Sequence, residues 1–145
     1  MVIIMEIDNK IIDQLNLEVN KSIELDEIPV GAVIFKSDSQ EIIASGHNTR
    51  QLDHNVLGHA EINAILNAEK EINDWRLDGY SMIVSLAPCK MCSTVIEESR
   101  LDQIYYVLDS NYINLGNKDY IKVDYFPELE KKYDEYLKNF FHNKR

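Results

Sequence analysis

Apolar residues at Ile11, Ile12, Leu15, Val19 and Ile23 recur at spacings of three and four, which predicts an amphipathic helix over residues 8–25 with Asp8 or Asn9 as its cap. Pro29 ends that helix. Val30-Gly31-Ala32-Val33-Ile34-Phe35 is short, apolar and β-branched, the pattern of a buried strand. Turn chemistry at Ser37-Asp38-Ser39-Gln40 leads into Glu41-Ile42-Ile43-Ala44-Ser45-Gly46, a second strand that closes a hairpin. A second helix runs from His59 to about Ile72, with Ile62, Ile65 and Leu66 at helical spacing. After the Asp78-Gly79 turn, residues 80–86 read as a third strand stopped by Pro88. A short helix with Val95 and Ile96 follows, then a fourth strand over residues 103–108 and a fifth over 121–125. Leu129, Tyr133, Tyr136, Leu137, Phe140 and Phe141 give the closing helix an apolar face, and Phe140 and Phe141 are expected in its core contact. Helices alternating with strands over short connections predict an α/β protein, a three-layer α/β/α sandwich around a mixed sheet of about five strands. No repeat or linker breaks residues 1–145, so a single domain is expected.

Composition narrows the class. A chain of 145 residues removes roughly 70% of its unfolded surface from water on folding. With 45% hydrophobic and 28% charged residues it is neither disordered nor fibrous. No apolar run approaches the ~20 residues of a membrane span. The opening Val2-Ile3-Ile4-Met5 lacks a basic flank, so it does not read as a signal peptide. Two cysteines without an export signal suit a reducing compartment, where thiols act as ligands or nucleophiles, and the expected location is the cytoplasm. The net charge of −10 repels polyanions at long range. Only residues 128–145 lean positive, with Lys131, Lys132, Lys138, Lys144 and Arg145 against four acids.

Two fragments carry chemistry: Gly58-His59-Ala60-Glu61 and Pro88-Cys89-Lys90-Met91-Cys92, each at the start of a predicted helix. Three residues apart on a first helical turn, Cys89 and Cys92 point their sulfurs the same way. A helix N-terminus favours the thiolates that zinc requires. His59, Cys89 and Cys92 make three protein ligands and leave the fourth tetrahedral position to water, as in a catalytic zinc site. Glu61 is placed to move protons beside that water. Taken alone, the Cys-x-x-Cys pair also reads as a redox pair, half a zinc knuckle or two core thiols. A structural zinc would take a fourth ligand from His47, His54 or His142, but it gives no reason for Glu61.

His-x-Glu together with Pro-Cys-x-x-Cys is the signature of zinc-dependent base deaminases. Over roughly residues 10–110 the chain resembles the TadA-type tRNA adenosine deaminases, within the cytidine deaminase-like superfamily. The resemblance rests on Ile28-Pro29-Val30-Gly31-Ala32-Val33, Gly46-His47-Asn48, Gly58-His59-Ala60-Glu61-Ile62, Trp75-Arg76-Leu77, Ala87-Pro88-Cys89-Lys90-Met91-Cys92 and Ser99-Arg100-Leu101. The closing Phe140-Phe141 pair followed by basic residues is similar to that family's ending. The resemblance implies Zn2+ on His59, Cys89 and Cys92, with Glu61 as proton shuttle. It also implies that Asn48 bonds the base or sugar, that Val30 forms an apolar wall, and that the Ala60 backbone and a Ser85 or Ala87 carbonyl face the base edge. His47 and His54 read first as loop histidines open to solvent, with a grip on nucleic acid as the alternative. The chain departs from the family pattern at Ala87, where a glutamate is usual, at Asn55-Val56-Leu57-Gly58, and in a shorter segment after Leu108.

Three functions stay open at this stage. The first is deamination of the wobble adenosine of a tRNA anticodon loop to inosine. The second is deamination of a free nucleobase, nucleoside or nucleotide such as guanine, cytosine or deoxycytidylate, which suits an acidic surface. The third is an inactive zinc-binding partner subunit, which the presence of Glu61 disfavours. The resemblance implies a homodimer with composite sites, and no membrane partner is expected.

Overall fold

The computed structural model describes residues 6–110 and 120–143. Residues 2–5, most of the segment after Leu108, and Lys144 with Arg145 lie outside the described residues. In chain order the elements are α1 (Asn9–Glu24), β1 (Gly31–Lys36), β2 (Ile42–His47), α2 (Arg50–Asp53), α3 (Ala60–Ile72), β3 (Tyr80–Leu86), α4 (Lys90–Glu98), β4 (Ile104–Leu108), β5 (Ile121–Lys122) and α5 (Pro127–Asn143). The sheet order is β2-β1-β3-β4-β5. β1 is antiparallel to β2 and β3, whereas β3, β4 and β5 run parallel. Alternation along the strands builds a core on each face. Ala32, Ile34, Met82, Val84 and Tyr106 meet Ala64, Ile65 and Ala68 of α3 and Ile96 of α4. Val33, Phe35, Ile83, Tyr105 and Val107 meet Ile11, Leu15 and Val19 of α1 and Leu129 and Tyr133 of α5. The three-layer α/β/α sandwich with a mixed five-strand sheet is the architecture expected from the sequence.

Four details differ from the sequence pattern. Ile23 is 42% exposed, and the buried face of α1 continues instead through the polar Glu18 and Ser22. The helix α2 was not anticipated, being a single turn without a buried residue. β5 stops after two residues because the chain turns toward Pro127, which is pre-set for the first position of α5. Phe140 and Phe141 do not enter the core: the buried residues of α5 are Leu129 and Tyr133, and Phe141 is 54% exposed. The two phenylalanine rings meet edge to face at 5.3 Å instead. None of the described helices is long and apolar enough to cross a membrane.

Candidate active site

The parallel strands β3 and β4 end side by side, where Ala87 N–H bonds the Leu108 carbonyl. Beside those ends α3 and α4 begin, with His59 and Cys89 as their N-cap residues. Neither side chain makes a capping hydrogen bond. They turn toward each other instead: His59 Nδ1 lies 3.8 Å from Cys89 Sγ and 3.4 Å from Cys92 Sγ. All three donor atoms lie within 4.8 Å of one another. Tetrahedral zinc, with bonds of roughly 2.1 Å to nitrogen and 2.3 Å to sulfur, holds such atoms about 3.6–3.8 Å apart. The residues therefore fit the ion in both spacing and donor type. Electrostatics agree. Hydrogen bonds from Cys92 and His59 hold the Cys89 thiol down to about 4. The same hydrogen bond with Cys89, together with burial, pushes Cys92 far up, so the second thiolate needs a cation among the three groups. The hydrogen bond with Cys89 raises His59 against the opposing effect of burial.

Glu61 lies one residue into α3 and is 4% exposed. Burial pushes its carboxyl up to about 7 and the neighbouring Cys89 thiolate adds to the rise, while its own backbone N–H and His59 pull the other way. A carboxyl poised there can both accept and return a proton at neutral pH. With His59 and Cys89 it lines a cleft of about 420 Å³, whose walls also include Val30, Asn48 and Ala87.

The remaining residues singled out from sequence fall differently. Asn48 is buried and its amide is largely committed to the protein: Oδ1 accepts the Ala60 N–H at 2.8 Å and Nδ2 donates to the Ile28 carbonyl at 2.9 Å. The Ala60 N–H is thereby occupied and does not face the cleft as a free donor. Ser85 is buried with its hydroxyl accepting the Gly31 N–H at 3.1 Å, and it is not among the cleft-lining residues; Leu86 takes that place. His47 is not a solvent-facing loop residue, since Nδ1 sits 2.6 Å from Glu18 Oε2. His54 is exposed, as expected. The sequence reading missed Glu27, Ile28, Arg50, Asp109 and Ser110 in the cleft wall. Glu27 reaches the wall from the loop after α1, where its carboxylate receives the Gln51 and Leu52 N–H groups and ties down the start of α2, a long-range contact that no spacing in the sequence marks. Trp75-Arg76-Leu77 and Ser99-Arg100-Leu101 come together away from the cleft, with both arginines over the Trp75 ring.

The family model for the cytidine and deoxycytidylate deaminase zinc-binding region matches residues 5–108. The chain belongs to this family. Among curated relatives, a tRNA-specific adenosine deaminase of Rickettsia felis is 45% identical over 80 residues, 55% of this chain and 56% of the relative. The enzyme of the same name from Bacillus subtilis is 37% identical over 89 residues, 61% of this chain and 54% of the relative. The matched stretch thus spans about half the length of these relatives. In structure, a protein studied for A-to-I editing by tRNA:A34 deaminases at the wobble position of transfer RNA superposes with TM-score 0.72 and 26% identity, covering 79% of this chain and 98% of that one. Guanine deaminase from Bacillus subtilis superposes with TM-score 0.63 and 27% identity, over 77% of this chain and 71% of that one. The zinc-binding region that defines the family contains His59, Cys89 and Cys92, the same three residues that the geometry brings together.

Proposed function

We propose that the chain is a zinc-dependent hydrolase that converts the wobble adenosine of a tRNA anticodon loop to inosine, with release of ammonia. The observation that carries this reading is the buried Glu61 carboxyl sharing one cleft with the His59, Cys89 and Cys92 cluster. Likeness to the tRNA-specific adenosine deaminases supports the choice of substrate. Bound zinc would supply a water acidified to a pKa of about 7 as the nucleophile. Glu61 moves protons at its carboxylate oxygens, first to the ring nitrogen N1 of the base and then to the departing amine nitrogen. Val30 and Ala87 close the cleft against the apolar faces of the base. Asn48 keeps one amide hydrogen beyond its bond to Ile28, free to meet the base or sugar.

A free-base substrate is the second reading, favoured by the net charge of −10 and by the likeness to guanine deaminase. Ammonia release from an arginine-tRNA anticodon stem-loop, compared with release from free bases, nucleosides and nucleotides, separates the two. Turnover of the stem-loop alone is the expected result, and turnover of guanine alone overturns it. We further propose that residues 1–145 form one domain acting in the cytoplasm, where Cys89 and Cys92 stay reduced. A homodimer is supported by exposed Leu52, Val56 and Leu57 on and after α2.

A further inference from the structure

The end of β2 is gripped from both faces of the sheet. Gly31 pairs with His47 in the β1–β2 register. A Cβ on Gly31 would come within 2.8 Å of Glu18 Cβ and 2.9 Å of Val19 N, so α1 rests directly on β1 there. On the other face, a Cβ on Gly46 would come within 2.5 Å of Ala64 N and 2.7 Å of Ala60 O, so α3 rests directly on β2. At this joint α1 presents Glu18 and Ser22, four residues apart on one face and both buried. Glu18 Oε2 holds His47 Nδ1 at 2.6 Å. Its Oε1 accepts from Ser45 Oγ at 3.1 Å, Lys21 Nζ at 3.1 Å and Gln14 Nε2 at 3.4 Å. Ser22 Oγ accepts the Asn48 N–H at 3.1 Å. Asn48 Oδ1 then holds the Ala60 N–H at the start of α3.

A buried carboxylate is an expensive way to fill a helix face that a leucine could fill. Burial alone would raise the Glu18 carboxyl, but hydrogen bonds from His47 and Lys21 outweigh it and hold the group below the usual carboxylate range. Glu18 grips the end of β2 at Ser45 and His47, and Ser22, one turn on, holds the next residue, Asn48, which lines the cleft. We propose that Glu18 is a positioning residue, which by gripping His47 fixes Asn48 and, through it, the first turn of α3 that follows His59 and carries Glu61. The proposal rests on the reading of the cleft as the substrate site.

Glu18→Leu tests it. Amide hydrogen exchange at Asn48 and Ala60 should accelerate about tenfold, the fold-change of one lost net hydrogen bond, while Ile65 and Ala68 in the middle of α3 keep their protection. On the deaminated base, KM should rise by a larger factor than kcat falls, with zinc content unchanged. Glu18→Gln keeps an acceptor for His47 and should restore most of both properties. Unchanged exchange at Asn48 and Ala60 in a folded Glu18→Leu protein overturns the proposal, and so does uniform acceleration along α3, which marks general loosening. If Glu18→Leu does not fold, His47→Leu cuts the same grip from the other side and is read in the same way. A wild-type protein that turns over no base would overturn the reading of the cleft, and the exchange result would still decide the grip.

Discussion

At the scale of single residues, the candidate site divides into three donors positioned to hold a metal and one buried carboxyl, Glu61, for which we propose the proton transfers. Cys89→Ser replaces a thiolate held down to about 4 with a hydroxyl that does not ionise near neutral pH, so zinc measured by metal analysis should fall well below one per chain. Glu61→Gln leaves all three donor atoms in place, so zinc should remain while turnover drops roughly a hundred- to ten-thousand-fold. Loss of zinc in Glu61→Gln would make Glu61 a ligand, and full zinc in Cys89→Ser would remove Cys89 from the set. These four residues were legible because short spacings at helix starts fix which way their side chains point. Glu18 was not legible: it interrupts the apolar stripe of α1, and a polar residue there reads as the edge of the buried face. Arg50 and Asp109 were hidden for another reason, since they reach the cleft from a single-turn helix and from a strand end with no spacing to mark them.

At the scale of elements, the site is made where two helices start with the wrong caps. Ser, Thr, Asp or Asn normally fills the N-cap and ties down the first turn. α3 and α4 begin instead with His59 and Cys89, whose side chains cross to each other, so the local rule is broken at the candidate metal cluster. The first turn of α3 is tied down from outside, by Asn48 and by the contact of α3 with Gly46. Gly46→Ala puts a methyl group 2.5 Å from Ala64 N, against helix backbone that cannot swing away. The expected loss is about 1–3 kcal/mol, read as a lower midpoint in denaturant, together with weaker zinc retention because α3 carries its strain to His59. An alanine protein with wild-type midpoint and zinc affinity would show that α3 does not depend on that contact. The hairpin and the first four strands were legible from β-branched runs bounded by turns. The closing helix misled, because amphipathic spacing reports that one face is apolar and not how far along the helix the sheet reaches. Leu129 and Tyr133 lie over β4, and the apolar face continues past it to an exposed Phe141.

At the scale of the whole molecule, mixed strand direction and surface charge pull on function in different ways. The parallel pair β3 and β4 gathers the strand ends and helix starts at one edge, where ligands collect in open α/β sheets. The net charge of −10 gives no long-range attraction for RNA, so binding of an anticodon loop must come from local cations. Lys138 is a weak candidate, because Asp134 already holds it at 2.8 Å. Arg50 at the cleft and the closing Lys144 and Arg145 are better placed by sequence and charge to neutralise phosphates. Each phosphate neutralised adds roughly 0.7 to the slope of log affinity against log salt for a single strand. Truncation after Phe141 keeps the half-buried Phe140 and the exposed Phe141 and removes both terminal cations. It should lower stem-loop turnover and flatten its salt dependence by about one to two phosphate contacts, while activity on a free nucleoside stays unchanged. Equal turnover of the stem-loop by both proteins across the salt series would transfer the phosphate contacts to Arg50 and the cleft. Arg50→Ala in the truncated protein then removes the last of these cations, and a salt slope that survives it would show that this acidic chain does not bind RNA through the groups named here.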